Sequence, residues 1–153
     1  MRLNAQLALC AAGVVIAAYL TWVGFAAGAE PYCSGLGDCI AVQGSEYGEI
    51  AGIPIAAFGL AMYLGLLALA VSRRVGPLRG FHLLPVWIFA LAMAGTLYSG
   101  YLTYIELVVL NAVCAWCVVS AVIVAGIFAL GVPDFLAARR TRIEQLEAAE
   151  PEA

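Results

Sequence analysis

The chain has 153 residues, of which 65% are hydrophobic and only 11% are charged, and its formal net charge is −3. This composition excludes an ordinary soluble domain and gives no reason to expect a nucleic-acid partner. Four segments without Asp, Glu, Lys or Arg cover residues 3–29, 50–72, 80–105 and 107–133. About 20 apolar residues suffice to span a bilayer, so each segment is long enough to cross a membrane.

The sequence therefore predicts an all-α membrane protein, a bundle of four transmembrane helices in contact with lipid. The predicted spans cover about residues 6–27, 54–72, 83–105 and 112–131 of a single domain, residues 1–133. Pro54 is predicted in the first turn of the second helix, where its missing N–H does no harm. Asn111 is predicted as the N-cap of the fourth helix. Residues 134–153 form a short tail, rich in Ala, Glu and Arg, that is expected to be helical.

The positions of the basic residues predict the orientation. All of them are arginines, and they lie at the N-terminus, after the second span and in the tail: Arg2, Arg73, Arg74, Arg79, Arg139, Arg140 and Arg142. The positive-inside rule places both termini in the cytoplasm and one substantial loop, about residues 28–52, outside it. Ala27-Gly28-Ala29 has the look of a signal-peptidase site, but the preceding apolar run is longer than that of a signal peptide. We expect an uncleaved first span.

Four of the five cysteines fall on the predicted outer side, in two dissimilar pairs. Cys33 and Cys39 lie in the outer loop, separated by a Ser- and Gly-containing segment that could close a disulfide or swing. Cys114 and Cys117 form a Cys-Ala-Trp-Cys motif at the start of the fourth helix. Unpaired amides at a helix N-terminus stabilise a thiolate. We expect Cys114 nearer water and Cys117 deeper, an arrangement that favours a relay between a protein dithiol and a membrane quinone.

These motifs resemble those of the bacterial vitamin K epoxide reductase (VKOR) homologues, from Tyr32 to Ser120. The resemblance depends on Cys33-x5-Cys39, on Ser45-Glu46-Tyr47-Gly48, on Gly52-Ile53-Pro54 and on the late Cys114-Ala-Trp-Cys117 motif. It implies a bacterial inner-membrane enzyme whose active site faces the periplasm or cell exterior. Many bacterial members carry a fused thioredoxin-like domain, for which this tail is too short.

The resemblance also implies residue roles. Cys33 would exchange with a DsbA-like protein of the thioredoxin fold, and Cys39 would exchange with Cys114. Cys117 would react with a quinone, either ubiquinone or menaquinone, and Ser45 would hydrogen-bond near its headgroup. No metal is expected. The resulting function is a quinone-dependent, disulfide-generating oxidoreductase.

Several alternatives stay open. The animal enzymes have an Asn and a Tyr where this chain has apolar residues around Ile55 and Ala121, which favours quinone reduction over reduction of a vitamin K (naphthoquinone) epoxide. The loop disulfide could instead brace a membrane scaffold without enzymatic activity. A zinc site is disfavoured by the cysteine spacing and an oxidising compartment.

Other side chains have more than one interpretation. Trp116 could line the quinone pocket or anchor the membrane interface. Glu106 is expected to mark the outer end of the third helix, with proton handling as an alternative. We expect Cys10 to serve packing and His82 to lie at the inner interface.

Overall fold

Four long helices dominate the computed structural model, which describes residues 2–26, 31–33, 38–75 and 83–149. They are α1 (Arg2–Phe25), α3 (Ile55–Val75), α4 (Leu84–Tyr104) and α5 (Ala115–Ala149), and each is long and apolar enough to cross a membrane. The predicted four-helix membrane bundle is thereby confirmed. Three sequence predictions lie outside the described residues: the candidate cleavage site, the segment 34–37 between the loop cysteines and the interfacial position of His82.

Between α1 and α3 the chain forms two small elements. Helix α2 (Cys39–Gln43) is a single short turn, and the strands β1 (Glu49–Ile50) and β2 (Ile53–Pro54) pair antiparallel. The turn between the strands has two left-handed residues, Ala51 at φ 53° and Gly52 at φ 78°, as expected for a tight hairpin. Pro54 closes this hairpin, so the prediction that it opens the second helix is wrong by one residue.

The connection between the last two spans departs from a regular helix. Helix α4 continues as a π-helix over Ile105–Val109, and α5 starts only at Ala115. Asn111 has a φ of 47°, in the left-handed region, and is therefore not the N-cap of α5. At its other end α5 runs on through Pro133 to Ala149, so most of the predicted tail extends this helix.

Small residues let the four helices approach closely. All four long helices contribute to the buried core, which consists of Cys10, Ala17, Tyr63, Leu66, Ile88, Ala92, Ile123, Val124 and Ile127. The ring of Tyr63 occupies the space where a side chain at Gly13 would project. Gly95 similarly accepts Met62 and Val124. Lipid provides no hydrophobic drive for helices to associate, so this close packing is a main source of bundle stability.

Polar contacts fasten the bundle at the end opposite the cysteines. Arg73 donates to Asp134 at 2.7 Å, a salt bridge between α3 and α5 in which both side chains are 23% exposed. The neighbouring Arg74 donates to Asn4 of α1 at 2.6 Å. Three helices are thus joined at the end where the sequence concentrates its arginines.

The outward-facing surface is apolar. Large side chains such as Val15, Trp22, Trp87, Leu97 and Val122 are more than half exposed. In a bilayer these side chains meet hydrocarbon rather than water, and the helical backbone satisfies its own hydrogen bonds. The exposure agrees with the four spans.

We predict that Gly13→Ala destabilises the bundle, because the added methyl group must displace the Tyr63 ring. Overpacking of this kind costs about 1–3 kcal/mol, measurable as a lower midpoint of thermal unfolding in detergent. Gly100→Ala is the matched control, since a methyl group there meets open space in the helix α4. Equal midpoints for the two variants would contradict the proposed contact between α1 and α3.

Candidate functional site

The two loop cysteines form a disulfide at the edge of the site. Cys33 and Cys39 are bonded to each other, with their Cα atoms 6.2 Å apart. Asp38 caps α2 by accepting a hydrogen bond from the Ala41 N–H at 2.9 Å, so the helix begins at Cys39. Cys39 is fully buried, whereas Cys33 is only partly buried. One sulfur of the disulfide is therefore the more accessible to a second protein.

Backbone pairing holds this loop against the start of α5. The Asp38 N–H donates to the Val113 carbonyl at 3.0 Å. Cys39, Val42 and Cys114 consequently form one buried cluster, and Cys33, Trp116 and Cys117 pack against it. Folding therefore brings together all four cysteines that the sequence singled out, although the two pairs lie far apart in the chain.

Cys114, not Asn111, is the N-cap of α5. Its carbonyl accepts the first helical hydrogen bond, from the Val118 N–H, and its Sγ accepts the Cys117 N–H at 3.3 Å. A sulfur atom thus takes the place that a Ser or Asp oxygen fills in other caps. Hydrogen bonding from the Cys117 side chain outweighs burial and lowers the pKa of Cys114. The thiolate of the pair is therefore favoured at Cys114.

The two cysteines of the Cys-Ala-Trp-Cys motif differ in burial. Cys114 is fully buried beneath the loop cluster, whereas Cys117 is only partly buried. Cys117 lines an apolar cavity between the helices. Helix α2 and Cys39 cover Cys114. The expected order of depth, with Cys114 nearer the outer water and Cys117 deeper toward the lipid phase, stays a prediction.

A cavity of about 570 Å³ lies next to Cys117, lined by α1, α3, α4 and the first turns of α5, with α2 and the β-hairpin at one end. Its wall is mainly apolar and includes Leu20, Val23, Phe58, Met62, Leu91 and Leu102. Polar groups occur at a few points, among them Glu106, Tyr63 and Ser120, and the Tyr63 hydroxyl donates to the Ser120 carbonyl at 2.8 Å. An apolar cavity with few polar groups is typical of a small-molecule site.

Glu106 is the functional candidate to which the sequence gave least weight. Its side chain is 3% exposed, and its Oε2 accepts the Cys114 N–H at 3.0 Å. The π-helix and the following turn bring this carboxylate back beside the start of α5, since the Ala112 N–H donates to the Glu106 carbonyl. The sequence signal that could have identified Glu106 was its position as a single acid between two uncharged segments.

Trp116 and Tyr19 both form hydrogen bonds with Tyr32, the residue that precedes Cys33. The Trp116 Nε1–H donates to the Tyr32 carbonyl at 2.8 Å, and the Tyr32 N–H donates to the Tyr19 hydroxyl at 3.0 Å. The two aromatic rings lie 5.6 Å apart. Trp116 is not among the residues that line the cavity. Its observed contacts fix the entry to the cysteine loop.

Ser45 lies at the end of α2 and also outside the cavity lining. Its hydroxyl donates to the Val42 carbonyl at 2.7 Å. Its assignment to a quinone headgroup stays a prediction. Within the described residues, no set of three or more His, Cys, Asp or Glu side chains is arranged to hold a metal ion.

Comparison with known families identifies the chain. The sequence model described as the Vitamin K epoxide reductase family matches residues 5–132, which include all four helices up to the middle of α5. The chain therefore belongs to the VKOR family and is a membrane oxidoreductase. The family relationship that the cysteine motifs implied is confirmed.

We predict that Trp116→Phe loosens the loop before Cys33, because phenylalanine keeps the ring but cannot donate to the Tyr32 carbonyl. One lost hydrogen bond of about 0.5–1.5 kcal/mol corresponds to roughly twofold to tenfold faster amide hydrogen exchange at Tyr32 and Cys33. Trp22→Phe, on the exposed face of α1, is the matched control. Unchanged exchange in Trp116→Phe would show that Tyr19 alone holds the loop.

Proposed function

We propose that this member of the VKOR family oxidises a DsbA-like protein of the thioredoxin fold and passes the electrons to a membrane quinone. The observation that supports this function is that the four cysteines form one contiguous cluster, which reaches from the loop to the cavity. A partly buried disulfide sulfur, Cys33, lies at one end of the cluster, and Cys117 lies at the other end in the wall of an apolar cavity. A relay requires such a path, whereas a disulfide that only braces a loop does not.

The proposed relay consists of two thiol–disulfide exchanges. A partner thiolate attacks Cys33, the second partner thiol resolves the mixed disulfide, and Cys33 and Cys39 are left reduced. Cys39 then attacks Cys114 of an oxidised Cys114–Cys117 pair, and Cys33 displaces Cys114 to reform the outer disulfide. Two electrons and two protons have then moved from the partner to the inner pair. Each exchange depends on the thiolate fraction of the attacking cysteine and on the pKa of the leaving one. The lowered pKa of Cys114 makes it a good leaving group when Cys33 displaces it.

The cavity suits a quinone, ubiquinone or menaquinone, as the final acceptor. Its apolar wall matches an isoprenoid-substituted ring, and Cys117 supplies a reactive sulfur at the wall. Phe58 and Tyr98 line the cavity and are also exposed on the surface of the spanning helices. A lipid-soluble acceptor could therefore enter between α3 and α4 without crossing water.

The proposed orientation places the cysteine cluster outside the cytoplasm of a bacterium, with both termini inside. The arginines at the opposite end of the bundle support it through the positive-inside rule. An oxidising compartment on the cysteine side also agrees with a protein that carries a disulfide there.

The decisive experiment is reconstitution. The purified protein in liposomes receives ubiquinone or menaquinone and a reduced DsbA-like protein, and quinone absorbance and partner thiols are followed together. Equimolar loss of both supports the relay. Exchange of partner thiols without quinone loss would indicate a different acceptor, and a parallel assay with the vitamin K epoxide tests the alternative reductase. A protein inert in every assay would be a scaffold.

We predict that Cys117→Ala abolishes quinone reduction but leaves exchange of Cys33 and Cys39 with the partner, because Cys117 is the cysteine of the four that lines the cavity. In this variant Cys114 can still attack the Cys33–Cys39 bond, and Cys117 is absent to draw Cys114 into an inner disulfide, so a Cys39–Cys114 disulfide should become detectable by mass spectrometry. Cys10→Ala, in the helical core, is the control and should behave as wild type. Quinone turnover near the wild-type rate in Cys117→Ala would overturn the assignment.

We also propose that the Ser45 hydroxyl can exchange its hydrogen bond to Val42 for one to a quinone carbonyl. Ser45→Ala should then raise the quinone KM by roughly twofold to tenfold, as expected for a bond of about 0.5–1.5 kcal/mol, with thiol exchange unchanged. Ser45→Thr, which keeps the hydroxyl, should stay close to wild type. A lowered unfolding midpoint with an unchanged KM would limit Ser45 to the turn after α2.

A further inference from the structure

Glu106 is a buried carboxylate that the cysteine relay does not use. Its side chain is 3% exposed, and the membrane span in which it lies is otherwise apolar. Among the described residues, one salt bridge forms, between Arg73 and Asp134, and it lies at the opposite end of the bundle from Glu106. Glu106 instead accepts the Cys114 N–H and lines the same cavity as Cys117. An ionisable side chain buried without a cation in a membrane is costly and is commonly functional.

The position of Glu106 connects both chemical parts of the site. Its carboxylate contacts the backbone of one cysteine of the Cys-Ala-Trp-Cys motif, and it lines the same cavity as the other, Cys117. A π-helix, a conformation frequent at functional sites, provides this placement. The other titratable side chains that face the cavity are Tyr63, Tyr98 and Glu49, on α3, α4 and β1. Of the two carboxylates, Glu106 is buried and Glu49 is exposed.

We propose that Glu106 carries the proton between Cys117 and the quinone, an inference that rests on the proposed function. With Cys114 as thiolate and Cys117 as thiol, the two sulfurs form the S–S bond and release two electrons to the quinone. The Cys117 proton moves to the Glu106 carboxylate and then to one quinone oxygen. A second proton, equivalent to the one that Cys114 released earlier, comes from water to the other oxygen. One thiol, one thiolate, one quinone and one proton thus give one disulfide and one quinol.

Three variants separate proton transfer from support of the backbone. Glu106→Gln keeps an oxygen that can accept the Cys114 N–H but cannot take a proton. Glu106→Asp keeps the acid on a shorter side chain, and Glu106→Ala removes both functions. Glu46→Gln is the control for charge, because Glu46 is an exposed acid after α2 and lies outside the cavity lining. For each variant we would measure single-turnover quinone reduction by the reduced protein, and exchange of Cys33–Cys39 with the partner as a test of folding.

A second readout needs no quinone. Iodoacetamide alkylation of Cys117 in the reduced protein, located by mass spectrometry, reports how readily its thiol loses the proton. If Glu106 accepts that proton, Glu106→Gln should slow alkylation of Cys117. If Glu106 acts only as a nearby negative charge, the same variant should speed alkylation, because removal of a like charge favours the thiolate.

The proposal expects Glu106→Gln to reduce quinone about 100-fold or more slowly, the usual scale for loss of a general acid–base group. Glu106→Asp should recover part of the rate, and partner exchange should persist in both. Wild-type rates in Glu106→Gln with a defect only in Glu106→Ala would overturn proton transfer in favour of a structural role. If folding fails in Glu106→Gln, a Glu106→Asp variant as impaired in quinone reduction as Glu106→Ala would overturn it too. Failure of the wild-type protein to reduce quinone would refute the proposed function, whereas the alkylation result would still test Glu106.

Discussion

The start of α5 at Cys114 is the constraint on which the rest of the site depends. Three interactions meet at this residue: its Sγ accepts the Cys117 N–H, its own N–H donates to Glu106, and its side chain packs on Cys39. A helix N-terminus leaves amides without partners, and here a sulfur and a carboxylate satisfy two of them. The hydrophobicity of the sequence alone predicts that this helix begins near residue 112. A helix that began there would lose the three contacts at Cys114.

The site also depends on how the loop is secured, because short elements carry little stability of their own. Helix α2 has five residues and the hairpin has two residues per strand. Their placement comes from contacts with the long helices: Asp38 with Val113, and Tyr32 with Tyr19 and Trp116. The rigid bundle therefore holds both ends of the loop disulfide, and Cys33 stays accessible while Cys39 remains against Cys114.

Much of the fold was predictable because the bilayer imposes a simple rule of length and polarity. Uncharged segments predicted the four spans, and the paired cysteines predicted the family. Local details were less accessible, since they depend on contacts between distant residues. Nothing near Asn111 in the sequence shows that Cys114 will cap α5, and the π-helix that buries Glu106 has no hydrophobic periodicity of its own. The burial of Cys114 follows from α2, a helix too short to be read from its pattern.

In the proposed relay, the sulfur cap would couple the redox state of the inner pair, Cys114 and Cys117, to the geometry of α5. A thiolate at Cys114 is a strong acceptor for the Cys117 N–H and interacts favourably with the helix dipole. Once Cys114 enters a disulfide, with either Cys39 or Cys117, its sulfur loses that charge and the cap weakens. The Glu106 carboxylate accepts the Cys114 N–H from the other side, a contact that would hold the backbone through this change. A proton carrier that also fixes the reacting cysteine would allow electron and proton to leave the same point of the bundle together.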